Sequence, residues 1–274
     1  MVFISAFVAS VAAEPDKIYN PNIKTVQLYQ AGNQMSYPVI NINAANAMQL
    51  EFDELGDEIN NYYYTYQLCN ADWQPVDLST FDYIRGFTQN RINTYRVSSI
   101  ALTKYIHYSA SLPERNCMPI KTGNYLLKVF TNGDTSELVF TKRFLVTDNS
   151  ASVGAQLLQA FNPQFFRTHH KIQFTIDQSK LNIVNVQQQI KVVVMQNWRW
   201  DNAISKSQPT FIKGNILEYS GDNEFIFPAG KEYRWADLRS FRFQSDRIAR
   251  VDKLTRPWTV DIMMDNEKNN QRYI

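Results

Sequence analysis

Short apolar runs recur along the chain, and most alternate with polar residues at a period of two. Thr25-Val26-Gln27-Leu28-Tyr29, Val39-Ile40-Asn41-Ile42 and Gln49-Leu50-Glu51-Phe52 open the series. Residues 62–68, 106–109, 125–130, 138–140 and 143–146 continue it, with a hairpin turn at Asn132-Gly133-Asp134. Alternation puts successive side chains on opposite faces of a strand. Many short strands separated by Gly, Asn, Asp and Pro predict a sandwich. No stretch carries the spacing of a long amphipathic helix, and residues 77–85 read at most as a helical turn inside a loop.

Asp148-Asn149-Ser150 is a polar break, after which the pattern starts afresh at residues 152–160, 171–177 and 190–196. Further runs lie at 210–212, 216–219, 225–227, 238–243 and 259–263. The expected architecture is therefore all-β, with two tandem immunoglobulin-like β-sandwich domains over residues 22–148 and 151–274. Gly123-Asn124-Tyr125 is a landmark in the first. A tyrosine opening a late strand after a glycine turn is either a tyrosine corner or an ordinary strand tyrosine, and the sequence leaves both open.

Composition adds a core and removes some functions. The chain of 274 residues is 44% hydrophobic and carries 17 Phe, 15 Tyr and 5 Trp, residue types that favour strands. Its 28 basic and 26 acidic residues leave a net charge of +2, which argues against nucleic acid as a partner. Residues 1–13 are apolar or small and uncharged, and they end before Glu14-Pro15. A bilayer needs about 20 residues, so the segment reads as a signal-peptide remnant and the protein as exported. No Lys or Arg precedes the apolar run. Cys69 and Cys117 are the two cysteines; a disulfide and two separate thiols are equally open.

Catalytic patterns are missing from the sequence. There is no Gly-x-Ser-x-Gly elbow, no phosphate-binding glycine loop and no Cys-x-x-Cys pair. His169 and His170 would point to opposite faces of a strand, and His107 is remote in sequence, so no metal site is expected. Asp53, Glu54, Asp57 and Glu58 are read as a solvated hairpin tip in preference to a calcium loop. The reading is a binding protein and not an enzyme, with no catalytic residue and no cofactor.

Three aromatic segments remain, around Trp73, around Trp198-Arg199-Trp200, and around Arg234-Trp235. On a strand Trp198 and Trp200 would share one face. Aromatic residues and arginine anchor protein interfaces, so these six residues form the candidate partner-binding surface. Taken singly, each tryptophan is more readily a plug at the end of a sandwich core. Aromatic platforms also hold sugars, which makes a carbohydrate-binding or surface-glycan-associated protein the alternative.

These segments also carry a resemblance. Residues 23–29 (Ile-Lys-Thr-Val-Gln-Leu-Tyr), Tyr64 with Cys69-Asn70-Ala71-Asp72-Trp73, Tyr83-Ile84-Arg85-Gly86-Phe87 and Tyr105-x-His107-Tyr108 come first. Gly123-Asn124-Tyr125-Leu126-Leu127-Lys128-Val129, Arg143-Phe144-x-Val146, Gln196-Asn197-x-Arg199-Trp200-Asp201-Asn202-Ala203 and Phe227-Pro228-Ala229-Gly230-x-Glu232-Tyr233-Arg234 follow in order. Together they resemble the N-terminal domain family of the type IX secretion system plug protein of Bacteroidota. Leu68 and Ala229 depart from the His and Gly of the family pattern. The chain stops at Tyr273-Ile274 where relatives continue, which reads as a shortened copy. The resemblance implies a monomeric periplasmic plug that binds and occludes the outer-membrane translocon β-barrel and sits at the periplasmic face of that membrane. It transfers no site residue.

Overall fold

The computed structural model describes residues 13–230, 235–242 and 245–266, and nearly all of its regular structure is strand. Residues 1–12, on which the signal-peptide reading rests, lie outside the described residues, as do Arg234 and the chain end. The chain divides into two compact units, Met1–Ser150 and Ala151–Ile274.

The first unit contains β1 (Ile23–Gln30), β2 (Val39–Asn41), β3 (Met48–Leu55), β4 (Tyr62–Cys69), β5 (Ile84–Gly86) and β6 (Asn90–Arg91). β7 (Thr94–Val97), β8 (Tyr105–Leu112), β9 (Cys117–Pro119), β10 (Gly123–Thr131) and β11 (Leu138–Thr147) complete it. One sheet runs β1-β3-β8-β7 and the other β2-β11-β10-β4-β6, while β5 and β9 pair as a separate ribbon. The pairings are antiparallel except for β2 with β11. Period-two patterning explains the layers: Met48, Leu50 and Phe52 of β3 and Tyr62, Tyr64 and Tyr66 of β4 are all buried in one core. Phe52 meets Tyr62 and Phe140 of the opposite sheet edge-on, at 5.3 and 5.1 Å between ring centres. Such aromatic pairs add to the gain from area burial alone.

Glu54 continues the inward series of β3 and is buried. It accepts hydrogen bonds from Asn60 Nδ2 at 2.8 Å and from the Tyr108 hydroxyl at 3.4 Å, partners that a buried carboxyl requires. Asp53, one residue earlier, faces outward and meets His107 Nδ1 at 2.8 Å. The acidic run is therefore divided between the core and the outer face. Among the described residues, no group of three or more His, Cys, Asp and Glu converges on a cation position. Cys69 and Cys117 are both buried and free, which answers the question of their pairing. Tyr125 donates its hydroxyl proton to the Lys121 carbonyl, four residues upstream, at 2.9 Å.

The second unit contains β12 (Ser152–Gln159), β13 (His169–Asp177), α1 (Val186–Gln189), β14 (Val192–Val194) and β15 (Ile204–Lys206). After these come β16 (Phe211–Lys213), β17 (Ile216–Tyr219), β18 (Ile226–Pro228), β19 (Ile248–Asp252) and β20 (Thr259–Ile262). The main sheet runs β12-β13-β17-β16, with β18 also pairing β13; β14–β15 and β19–β20 are two-stranded. Phe174, Leu217, Tyr219, Phe225 and Phe227 are buried in its core, which Val192 of β14 joins and against which Val194 and Ile204 pack.

Two expected strands differ from the structure. The run 190–196 is reduced to Val192–Val194, because α1 ends immediately before it and a turn follows directly. The Asn185 side chain caps α1 by accepting from Gln187 N at 3.1 Å. The described part of 238–243 forms no strand. There the Asp237 carboxylate accepts from the Arg239 backbone N–H at 3.0 Å and from its guanidinium, and this local bonding competes with a sheet ladder.

Candidate partner-binding surface

Trp198 stands at the tip of the β14–β15 connection. Asn197 and Trp198 both have left-handed backbones, with φ of 55° and 58°, and Arg199 N bonds Gln196 O at 3.2 Å. Two consecutive left-handed residues make a tight hairpin turn in which Asn suits the first place and Gly the second. A tryptophan in the second place costs about 1–2 kcal/mol in backbone strain. The expectation that Trp198 and Trp200 share a strand face is thereby corrected, since neither lies on a strand. Trp198 is 57% exposed and Trp200 half-buried.

The exposed Arg199 forms a two-pronged pair with Asp201, its Nε donating at 3.0 Å. That hydrogen bonding holds the Asp201 carboxyl below its ordinary range and lifts the Arg199 guanidinium. Gln196 Nε2 donates to Pro228 O at 2.8 Å, so the base of this turn is tied to the end of β18. Trp235 is 56% exposed, and the Arg247 guanidinium carbon lies 5.5 Å from its ring centre. Arg234 lies outside the described residues.

Trp73 is a correction. It is only 8% exposed and sits in a tight loop where Asn70 Oδ1 accepts from Asp72 N and Gln74 N, at 2.9 and 3.0 Å. The Arg143 guanidinium stacks 5.0 Å from its ring centre. Trp73 thus closes a corner of the first unit and exposes little of its ring.

The structure also reveals a surface that the sequence pattern concealed. The β7–β8 hairpin exposes Tyr95, Val97 and Tyr105, and its tip holds Ile100 at 94% exposure beside the fully exposed Leu102. Arg96 and Lys104 flank this apolar tip. Ile100-Ala101-Leu102 was the available signal, but it lies in a serine, threonine and lysine loop without alternation. Exposed apolar residues concentrated at one hairpin tip, as Ile100 and Leu102 are, make a candidate contact site.

The fold defines an all-β protein of two compact units, the first built around an aromatic core. Residues 23–148 match the family model described as "Type 9 secretion system plug protein 1st domain". Just under half of the chain thus carries a first domain of the type 9, or type IX, secretion system plug protein family. Among solved structures, a hypothetical protein from Parabacteroides merdae ATCC 43184 is similar with a TM-score of 0.83 and 27% sequence identity. The match covers 96% of this chain but 66% of that one, so the chain spans less than two thirds of its length. No curated protein matches the chain. The family connects the chain with type IX secretion and the cell envelope, and it is not a known enzyme family.

Proposed function

We propose that this chain is a removable, monomeric plug that binds the translocon β-barrel of the type IX secretion system at the periplasmic face of the outer membrane and occludes its mouth without catalysis. The observation that carries the reading is the match of residues 23–148 to the first domain of the plug protein. A stopper needs bulk, contour and a contact that can be broken, and no acid–base chemistry. The hydrogen bond from Tyr125 to Lys121 O supports reading residues 22–148 as an immunoglobulin-like sandwich, because it has the form of a tyrosine corner. Residues 151–274 are proposed as a second sandwich, its second layer supplied by β14–β15.

The proposed contacts are taken unit by unit: Ile100 and Leu102 in the first, and Trp198, Arg199, Trp200, Arg234 and Trp235 in the second. Trp198 is the strongest member, since exposure and backbone strain both work against stability there. A contact of ordinary size, roughly 1,200–2,000 Å², is sufficient and remains reversible. The test is affinity capture of the tagged chain from outer membranes. Co-purification of the translocon barrel, weakened by Trp198→Ala and Leu102→Asp together, is the expected result. Failure of the wild-type chain to retain the barrel would remove the proposal.

The exposed indoles of Trp198 and Trp235 also favour a second reading, a glycan-binding surface. A panel of soluble glycans separates the two: binding abolished by Trp198→Ala and Trp235→Ala supports the sugar platform, and no binding leaves the plug.

A further inference from the structure

A polar cavity of 230 Å³ lies on the outward face of β4 and β10, beneath the segment that connects β4 to β6. Thr65 and Gln67 of β4, Lys128 of β10 and Thr80, Tyr83, Thr88 and Gln89 of the connecting segment line it. The segment is tied down over the strands, since Thr65 Oγ1 donates to Thr88 O at 2.5 Å and Gln67 Nε2 reaches the Tyr83 hydroxyl at 3.5 Å. Tyr66 and Thr135 complete the lining, in which hydroxyl and amide groups predominate although Tyr66 and Tyr83 also belong to the hydrophobic core.

Lys128 is the one cation in this lining. Its ammonium donates to Gln67 Oε1 at 3.1 Å, and that acceptor is neutral. No carboxylate contributes to its ionisation, and burial pushes its pKa below the ordinary lysine value. A partly desolvated ammonium with hydrogen-bonding capacity left over is stabilised by an anion placed beside it. A single positive charge in a small space matches a single negative charge. A phosphate dianion would leave one charge uncompensated in the same confined site.

We propose that this cavity binds a carboxylate, held by the Lys128 ammonium and the surrounding hydroxyl and amide donors. The carboxylate belongs either to an acidic side chain of a polypeptide or to a free organic acid, and the site recognises the group common to both. This assignment stands on the geometry of the first unit alone and is independent of the plug reading.

The test is a magnetic-resonance titration of the full chain with sodium acetate, acetyl-Gly-Asp-Gly-amide and sodium phosphate, each compared with sodium chloride at equal ionic strength. Acetate and the tripeptide are expected to shift the amide signals of Thr65, Gln67, Thr88 and Lys128 saturably. Lys128→Gln is expected to weaken that binding by about tenfold or more. Tighter binding of the tripeptide assigns the carboxylate to a polypeptide, and equal or tighter binding of acetate assigns it to a free acid. Tighter binding of phosphate, undiminished binding by Lys128→Gln, or no saturation by either carboxylate would overturn the assignment. If Lys128→Gln does not fold, the wild-type titration decides alone: saturation at these amides supports the site, and its absence refutes it.

Discussion

Tyrosine fills much of the first unit's interior. Tyr62, Tyr64, Tyr66, Tyr108 and Tyr125 are buried, and the hydroxyls of Tyr64 and Tyr125 reach Glu114 and the Lys121 carbonyl at 2.9 Å. Burial pushes the Tyr108 phenol up to about 12 and the phenols of Tyr62, Tyr64, Tyr66 and Tyr125 up as well. The same cause takes the Cys69 thiol to about 11 and the Cys117 thiol to about 12. All these groups are neutral when protonated, so the folded chain keeps protons that the unfolded chain releases from about pH 9 to 10 upward. The stability they contribute is fully present below that range and is lost as pH rises through the folded-state values. Denaturant midpoints are therefore expected to be level across neutral pH and to fall steeply above about pH 10. Tyr125→Phe removes one hydrogen bond and is expected to cost about 1 kcal/mol in the same assay.

Among the elements, the long strands were the legible part. β3 and β4 announce themselves by period two because one face of each meets the core and the other does not, while β10 and β11, buried in part on both faces, show as longer apolar runs. β5, β6 and β7 gave no such signal: they are two to four residues long, and β7 is exposed throughout. Trp198 misled for a related reason, since a valine-rich run continued by tryptophan reads as strand until the backbone reverses at Asn197. Trp73 misled in the other direction, because burial of a loop residue depends on Arg143, distant in sequence. Exposure in three dimensions was the part of the candidate site that one-dimensional spacing did not contain. Trp198→Gly relieves the left-handed strain, so unfolding is expected to show a gain of about 1 kcal/mol while capture of the translocon weakens. Gly86 tests the β5–β9 ribbon. Its φ is +93°, and a Cβ there would come within 2.1 Å of the Asn116 carbonyl oxygen. Gly86→Ala is expected to lower stability by at least about 2 kcal/mol in equilibrium unfolding.

For the whole molecule, an aromatic strand composition accompanies an all-β fold, and residues 23–148 match the first domain of the plug protein. The central claim is occlusion, and entry of a bulky hydrophilic antibiotic through the outer membrane measures occlusion most directly. Cells lacking the gene are predicted to become sensitive and to regain resistance when the wild-type chain is restored. Sensitivity that does not change when the chain is removed would contradict the account.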